Sequence, residues 1–391
     1  MRKILIIWAM LAGVALCACK REASFAYDDV VSADTLTRHA QYLTIADCGG
    51  GLVRVDIANP WDEDKMLARY ALVDRDSVVP DTLPSDIVVI RTPVERAAVF
   101  SSVHTGAFEE LGALGQVAAI ADSHYFMSDD TVSALLCRGD IVDLGSVSSP
   151  SVELMAASGV KAVLRSPMQG VAGAKYPSGV AAVECADYME KTGIPQVKCV
   201  DYMEPTPIGR AEWILLLGEL TGKRQEARDI LDKVIDNYSS LVFKAGSATT
   251  PRPKILAETE YSGVWYVPQG GSYMARLYAD AGADWPWADT TGSGSLSLSL
   301  EEVAAKALDA DLWLVRSYGY ETTTSTLKAL NPRYTAFEAW KRGNIYSCDT
   351  EKRNIFNDVA FHPDKVLAEY IAIFHPELMP GYELQYFKHT R

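Results

Sequence analysis

Histidine and cysteine are scarce in this chain of 391 residues, with six of the first, seven of the second and no C-x-x-C pair. A protein-built metal cage of several imidazoles or thiolates is therefore hard to assemble. Neither H-E-x-x-H, G-x-x-x-x-G-K-[ST] nor G-x-S-x-G occurs, which removes the common zinc-protease, P-loop and nucleophile-elbow chemistries. Gly292-Ser293-Gly294-Ser295 has the wrong order for the last of these and reads as a flexible loop before a helix. Basic side chains number 37 against 51 acids, net charge −14, so nucleic acid and anionic membrane faces are poor partners. Beyond residue 19, no apolar run reaches the roughly 18 residues that a membrane crossing needs.

The N-terminus carries the sharpest positive signal. Arg2 and Lys3 precede an apolar run from Ile4 to Leu16, then Leu16-Cys17-Ala18-Cys19 and the polar Lys20-Arg21-Glu22. A run this short suits a signal-peptide core, and a Cys directly after a small residue is where lipoprotein precursors are cut and acylated. The expectation is a signal peptide over residues 1–18, lipid on Cys19, and a cell-envelope, periplasm-facing location. Loss of residues 1–18 removes two basic residues and no acid, leaving net −16. Cys48, Cys137, Cys185, Cys199 and Cys348 then form an odd set. They read as buried thiols, with a Cys185–Cys199 bridge as the alternative.

Polarity predicts a tether over 19–40. Alternating segments at 42–45, 52–57 and 68–73, separated by Gly49-Gly50-Gly51 and Asn59-Pro60, predict a small antiparallel meander. Apolar runs at 87–90, 97–100, 117–121, 162–164 and 197–200 then alternate with helical stretches at 107–114 and 152–157, the rhythm of an α/β layer with a mainly parallel sheet. From Lys223 to Lys244 apolar residues recur every three or four positions without Gly or Pro, a rod on the order of 30 Å. The second half repeats the style, with strands at 255–259, 264–267, 312–316 and 345–348 and helices at 273–281, 300–308, 332–340 and 363–374. The fold class is α/β: an N-terminal lobe with its meander over 41–222, one interdomain helix over 223–246 and a C-terminal lobe over 247–391.

In open α/β sheets ligands collect beyond the carboxyl ends of the strands. The residues there are His104, then His124 and Tyr125, then Arg165 in the first lobe. In the second they are Glu260 and Tyr261, Trp265 and Tyr266, Tyr318 and Tyr320, and Arg353 with Phe356. Flat aromatic faces with a few Arg and His suit a large, rigid, partly apolar ligand carrying anionic or metal-bound groups. Plainer roles compete. His104 beside Ser102 and Thr105 also reads as a helix cap, and His124-Tyr125-Phe126 as a loop anchor. One of Trp265 and Tyr266 faces the core, and period two does not say which. Trp285-Pro286-Trp287 reads as a packed loop.

Arg96–Thr105 with Glu110–Gly115, and Ser151–Leu164, resemble stretches of the substrate-binding proteins of ABC importers for ferric siderophores, haem and vitamin B12. Pro207–Trp213, Asp289–Ser295 leading to Leu300–Val303, and Phe374–Leu378 resemble the Bacteroidetes-type lipoprotein version. The resemblance spans roughly residues 95–378. It implies two lobes joined by a single helix, a metal-chelate ligand with no intrinsic cofactor, and a monomer partnered by a permease and its ATPase. It also implies docking through one exposed glutamate per lobe onto permease arginines, a bidentate pairing. Glu153 falls on the first-lobe position. No acid stands at the second, near Gly271 and Ser272. The implied activity is capture and delivery, not catalysis, with His124 near the metal. The rivals are a chelate-processing enzyme on the same frame, using Glu260 with His124, and a surface capture lipoprotein without a permease.

Overall fold

The computed structural model describes residues 34–390, except 82, 127–128, 168–188 and 190–191. The signal peptide, Cys19 and Cys185 lie outside the described residues.

A first sheet holds β1 (Asp34–Thr35), β2 (Leu43–Gly49), β3 (Leu52–Ala58), β4 (Met66–Asp74) and β5 (Val88–Thr92) in that order. Gly49, Gly50 and Gly51 all take positive φ, which lets β2 reverse into β3 without strain. The sheet is an antiparallel meander up to β4, and β5 then adds in parallel. The run at 87–90 thus extends the meander and does not open the next sheet. The meander is not a separate domain. Leu43, Ile45, Val55, Ile57 and Leu72 share one core with the first lobe. The Tyr70 hydroxyl donates to the Gln196 carbonyl at 2.8 Å and accepts from the Lys198 amide at 3.0 Å.

Polarity alone carries the tether to residue 40, but the chain is already structured before it. Glu212 accepts the amides of Arg38, His39 and Ala40, and Glu204 those of Gln41 and Tyr42 together with the Trp213 indole N–H. Both carboxylates are buried. Five successive backbone donors are therefore satisfied without a partner strand.

The first lobe's parallel sheet runs β10-β9-β6-β7-β8, from β6 (Ala97–Val99), β7 (Val117–Ile120), β8 (Val142–Asp143), β9 (Ala162–Arg165) and β10 (Gln196–Lys198). β6, β7 and β9 are buried throughout, as strands covered on both faces must be. Between them lie α1 (Ser102–Glu110), α2 (Asp130–Arg138) and α3 (Val152–Ala157). α1 starts five residues earlier than the apolar periodicity suggests, directly off β6, and the chain turns at Gly112 with φ 66°. Two helices without a sequence expectation, α4 (Pro207–Ala211) and α5 (Ile214–Thr221), lead to the spine α6 (Arg224–Ala245).

α6 belongs to both lobes. Its Ala227, Leu231 and Val234 enter the first core, while Tyr238 and Ala245 enter the second. In the second lobe β11 (Ile255–Ala257), β15 (Leu312–Ser317) and β16 (Ile345–Asp349) are parallel, with β17 (Lys388–His389) antiparallel at the edge. β12 (Glu260–Tyr261), β13 (Val264–Pro268) and β14 (Ser295–Leu298) form a small antiparallel sheet, so the run at 264–267 stands outside the parallel one. The helices are α7 (Tyr273–Asp280), α8 (Leu300–Ala307), α9 (Thr324–Leu330), α10 (Glu338–Lys341), α11 (Ile355–Phe361) and α12 (Pro363–Phe374). Extended backbone at Phe337 separates a 3₁₀ turn over Pro332–Ala336 from α10, breaking the single helix expected at 332–340.

α11 is a second shared element: Ile355 and Val359 pack in the second core, and Ala360 and Phe361 in the first. It lies so close to α1 that a Cβ on Gly106 would stand 2.8 Å from Asn357 Nδ2. His362 and Glu110 add a 2.6 Å pair across the same seam. Two helices rooted in both cores leave little freedom for the lobes to hinge. No helix among the described residues is long and apolar enough to cross a membrane.

Candidate functional site

In the first lobe the strand order reverses at β6, and the carboxyl ends of β6, β7 and β9 open toward the second lobe. After β7, Asp122 adopts φ 53°, and its carboxylate accepts the Val147 amide. A 3₁₀ turn follows, Ser123–Phe126, planted by the buried Phe126 and presenting His124 and Tyr125 to solvent. In the second lobe, Glu258 after β11 takes φ 67°, and Ser262 in the β12–β13 turn φ 51°. Left-handed backbone at non-glycine residues costs on the order of 1 kcal/mol each and gathers where function demands a shape. All three such residues stand just past strand ends.

The lobes meet through rings. The Tyr318 hydroxyl donates to the His124 carbonyl at 3.3 Å, the rings of Tyr125 and Tyr318 meet edge-on at 5.7 Å, and the His124 imidazole lies 3.9 Å from Tyr125. Tyr261, Tyr320 and Phe356 are also exposed. Phe356 lies over the Arg316 guanidinium at 5.6 Å, and Arg316 is itself paired with Glu258, its Nε donating to Oε1 at 2.7 Å. Partial burial, then the charge of Glu351, the neighbouring Tyr125 and the charge of Asp349 raise the Tyr318 hydroxyl pKa. These are large amphipathic faces left open to water, a costly arrangement without a partner.

Other candidates lie elsewhere. Trp265, fully buried, stacks on Trp313 at 5.9 Å beside Tyr334 and Phe337, and its indole donates to the Ala257 carbonyl. Tyr266 therefore holds the outer, half-buried side of β13. Arg165 is buried with its Nε 2.5 Å from Gln196 Oε1, spent on its neighbour strand instead of facing a ligand. Glu260 accepts from Asn331 at 2.8 Å and Tyr334 at 3.2 Å, a network in which His124 has no part. Trp285 and Trp287 are buried in a packed loop. Glu153 is exposed in the first turn of α3.

His104 neither caps α1 nor reaches the surface. It is buried, with Nε2 3.0 Å from Asp201 Oδ1; Asp201 Oδ2 accepts from Arg210 Nε at 3.1 Å, and Arg210 lies 4.5 Å over the Tyr273 ring. Burial works to raise the Asp201 pKa, but the Arg210 and His104 partners overcome it and hold the carboxyl well below the ordinary range. This chain runs from α1 and the end of β10, through α4, to α7 of the second lobe. Asp201 directly follows the apolar run at 197–200, so the strand-end rule reaches it, although the sequence does not mark its partners.

Comparison with known proteins identifies the fold. Residues 186–351 match the periplasmic binding protein family. This is a periplasmic binding protein fold. An uncharacterized lipoprotein of Methanocaldococcus jannaschii is 27% identical over 359 residues, covering 85% of this chain and 80% of its own. A second lipoprotein from that organism is 22% identical over 343 residues, 82% of this chain and 81% of its own. Among solved structures, a periplasmic heme binding protein from Pseudomonas aeruginosa superposes with TM-score 0.59 at 14% identity, over 76% of this chain and 98% of the other. An ABC-type Fe3+-hydroxamate transport system protein from Saccharomonospora viridis gives 0.53 at 20% identity, over 74% and 94%.

A cavity of about 850 Å³ lies to one side, between α6, α12 and the 382–386 segment. Arg353 opens into it; none of the exposed rings lines it. Its charges largely answer one another. Lys365 pairs with Asp358 at 2.9 Å, Tyr386 donates to Asp358, and Asn237 donates to Asp364. The exposed rings and the three left-handed residues gather instead at the strand ends. Among the described residues no group of His, Cys, Asp and Glu could hold a metal ion.

Proposed function

We propose that this protein is the substrate-binding lipoprotein of an ABC importer, capturing a metal chelate between its lobes and delivering it to a permease. The observation that carries the reading is the ring ladder His124–Tyr125–Tyr318 across the lobes, with Tyr261, Tyr320 and Phe356 of the second lobe also exposed. Stacking on such faces holds a flat or bulky chelate without covalent chemistry. His124 is exposed, so its imidazole can approach a bound metal. The heme-binding and Fe3+-hydroxamate proteins that share the fold support the ligand class, and the lipoprotein relatives support anchoring through Cys19. In this reading Glu153 docks onto the permease.

Titration of the purified protein with ferric siderophores, haem and cobalamin, followed by visible absorption, tests the proposal. Saturable one-to-one binding of one class is the expected outcome, and no spectral change with any of them refutes it. Glu153→Ala should leave that titration unaltered and lower transport by the reconstituted permease about tenfold, the scale of one lost carboxylate–guanidinium contact. Unchanged transport would remove the docking role.

A further inference from the structure

Arg165 and Arg353 are the cations that sequence reasoning assigns to anionic groups of the ligand, and the structure gives them other roles. Arg165 is buried against Gln196, and Arg353 opens into the lateral cavity. The other basic groups nearby are also engaged. Arg210 holds Asp201, Arg316 holds Glu258, and Lys352 lies 3.2 Å from Asp349. Two acids beyond the strand ends carry no such ion pair among the described residues: Asp122, two residues past β7, and Glu351, two residues past β16. Glu351 Oε2 sits beside Gly319, between the two exposed tyrosines of the second lobe, 3.3 Å from where a Cβ would stand. The raised pKa of the Tyr318 hydroxyl, to which Glu351 and Asp349 contribute after burial, reports the same negative field.

Resting on the proposed capture function, we infer that the cargo is a metal chelate of no net negative charge, uncharged or cationic, recognised by ring stacking while the acidic rim turns anionic chelates away. Two compounds represent the favoured class: an uncharged ferric trihydroxamate, and cobalamin, whose periphery is amide. Two represent the excluded class: haem, with its pair of propionate carboxylates, and a trianionic ferric tris-catecholate. A carboxylate brought against Glu351 and Asp122 gains no guanidinium and meets like charge.

The test measures affinity for the four chelates on the full-length processed protein at low and high salt, with Glu351→Gln alongside. At least one of the uncharged pair is expected to bind about tenfold or more tighter than both anionic compounds. Rising salt should narrow that gap by relieving repulsion, and Glu351→Gln should narrow it about threefold while leaving affinity for the uncharged chelate in place. Tightest binding of haem or the catecholate overturns the inference and leaves the capture function standing. A preference that ignores both salt and Glu351→Gln also overturns it, because fit alone would then select the cargo. Binding of none of the four overturns the capture function as well.

Discussion

Replacing Asp201 by Ala should lower folding stability by about 3–5 kcal/mol, the usual loss when one member of a buried ion pair is removed and its partners stay behind. The size follows from its position. Asp201 is the acceptor for both His104 and Arg210, and all three are buried. Without it a guanidinium is left uncompensated between the first lobe and Tyr273. Urea denaturation of the variant checks the figure; a loss under about 1 kcal/mol would show that the group is solvated.

The pH dependence carries a sign. The folded-state pKa of Asp201 is depressed, so its contribution is fully present above the ordinary carboxyl value near ~3.9 and is lost as the pH falls through the folded value. Asp201→Asn should flatten acid unfolding below about pH 4. Glu204 runs in the opposite sense. Burial first, and the nearby Glu212 in addition, raise its pKa against the amide and indole donors that lower it. Its contribution is therefore greatest below the unfolded pKa and diminishes as the pH rises through the raised one.

The second large effect concerns the ligand. Tyr125→Ala combined with Tyr318→Ala should weaken chelate binding about 100-fold, from roughly 1–2 kcal/mol per stacked ring. Folding should be nearly untouched, because Tyr125 is 54% exposed and Tyr318 45% exposed. Affinity and thermal melting measured on the same sample separate these outcomes. Full affinity in the double variant would move the ligand away from the ladder.

Much of this architecture can be read from residue order, and the failures have physical causes. The 3.6-residue period places the spine to within a residue or so, because a helix rooted in two cores needs apolar positions along its whole length. Buried parallel strands announce themselves as continuous apolar runs, but the sheet they join is a matter of pairing, which is why β5 and β13 are misplaced. Strand alternation cannot give its own phase, and Trp265 turns inward where Tyr266 turns outward. The exposed rings were legible because they follow strand ends. The engagement of Arg165 by Gln196, 31 residues away, and of His104 by Asp201, 97 residues away, depends on the finished fold. So does the hold of Glu204 and Glu212 on residues 38–42, with partners more than 160 residues distant.

A crystal structure of the complex with the chelate that binds in titration tests the central claim most directly. The account expects the chelate against Tyr125 and Tyr318 at the strand ends, with the lobes little moved because α6 and α11 are fixed in both cores. A chelate seated in the lateral cavity between α6 and α12, with those rings still open to solvent, would contradict it.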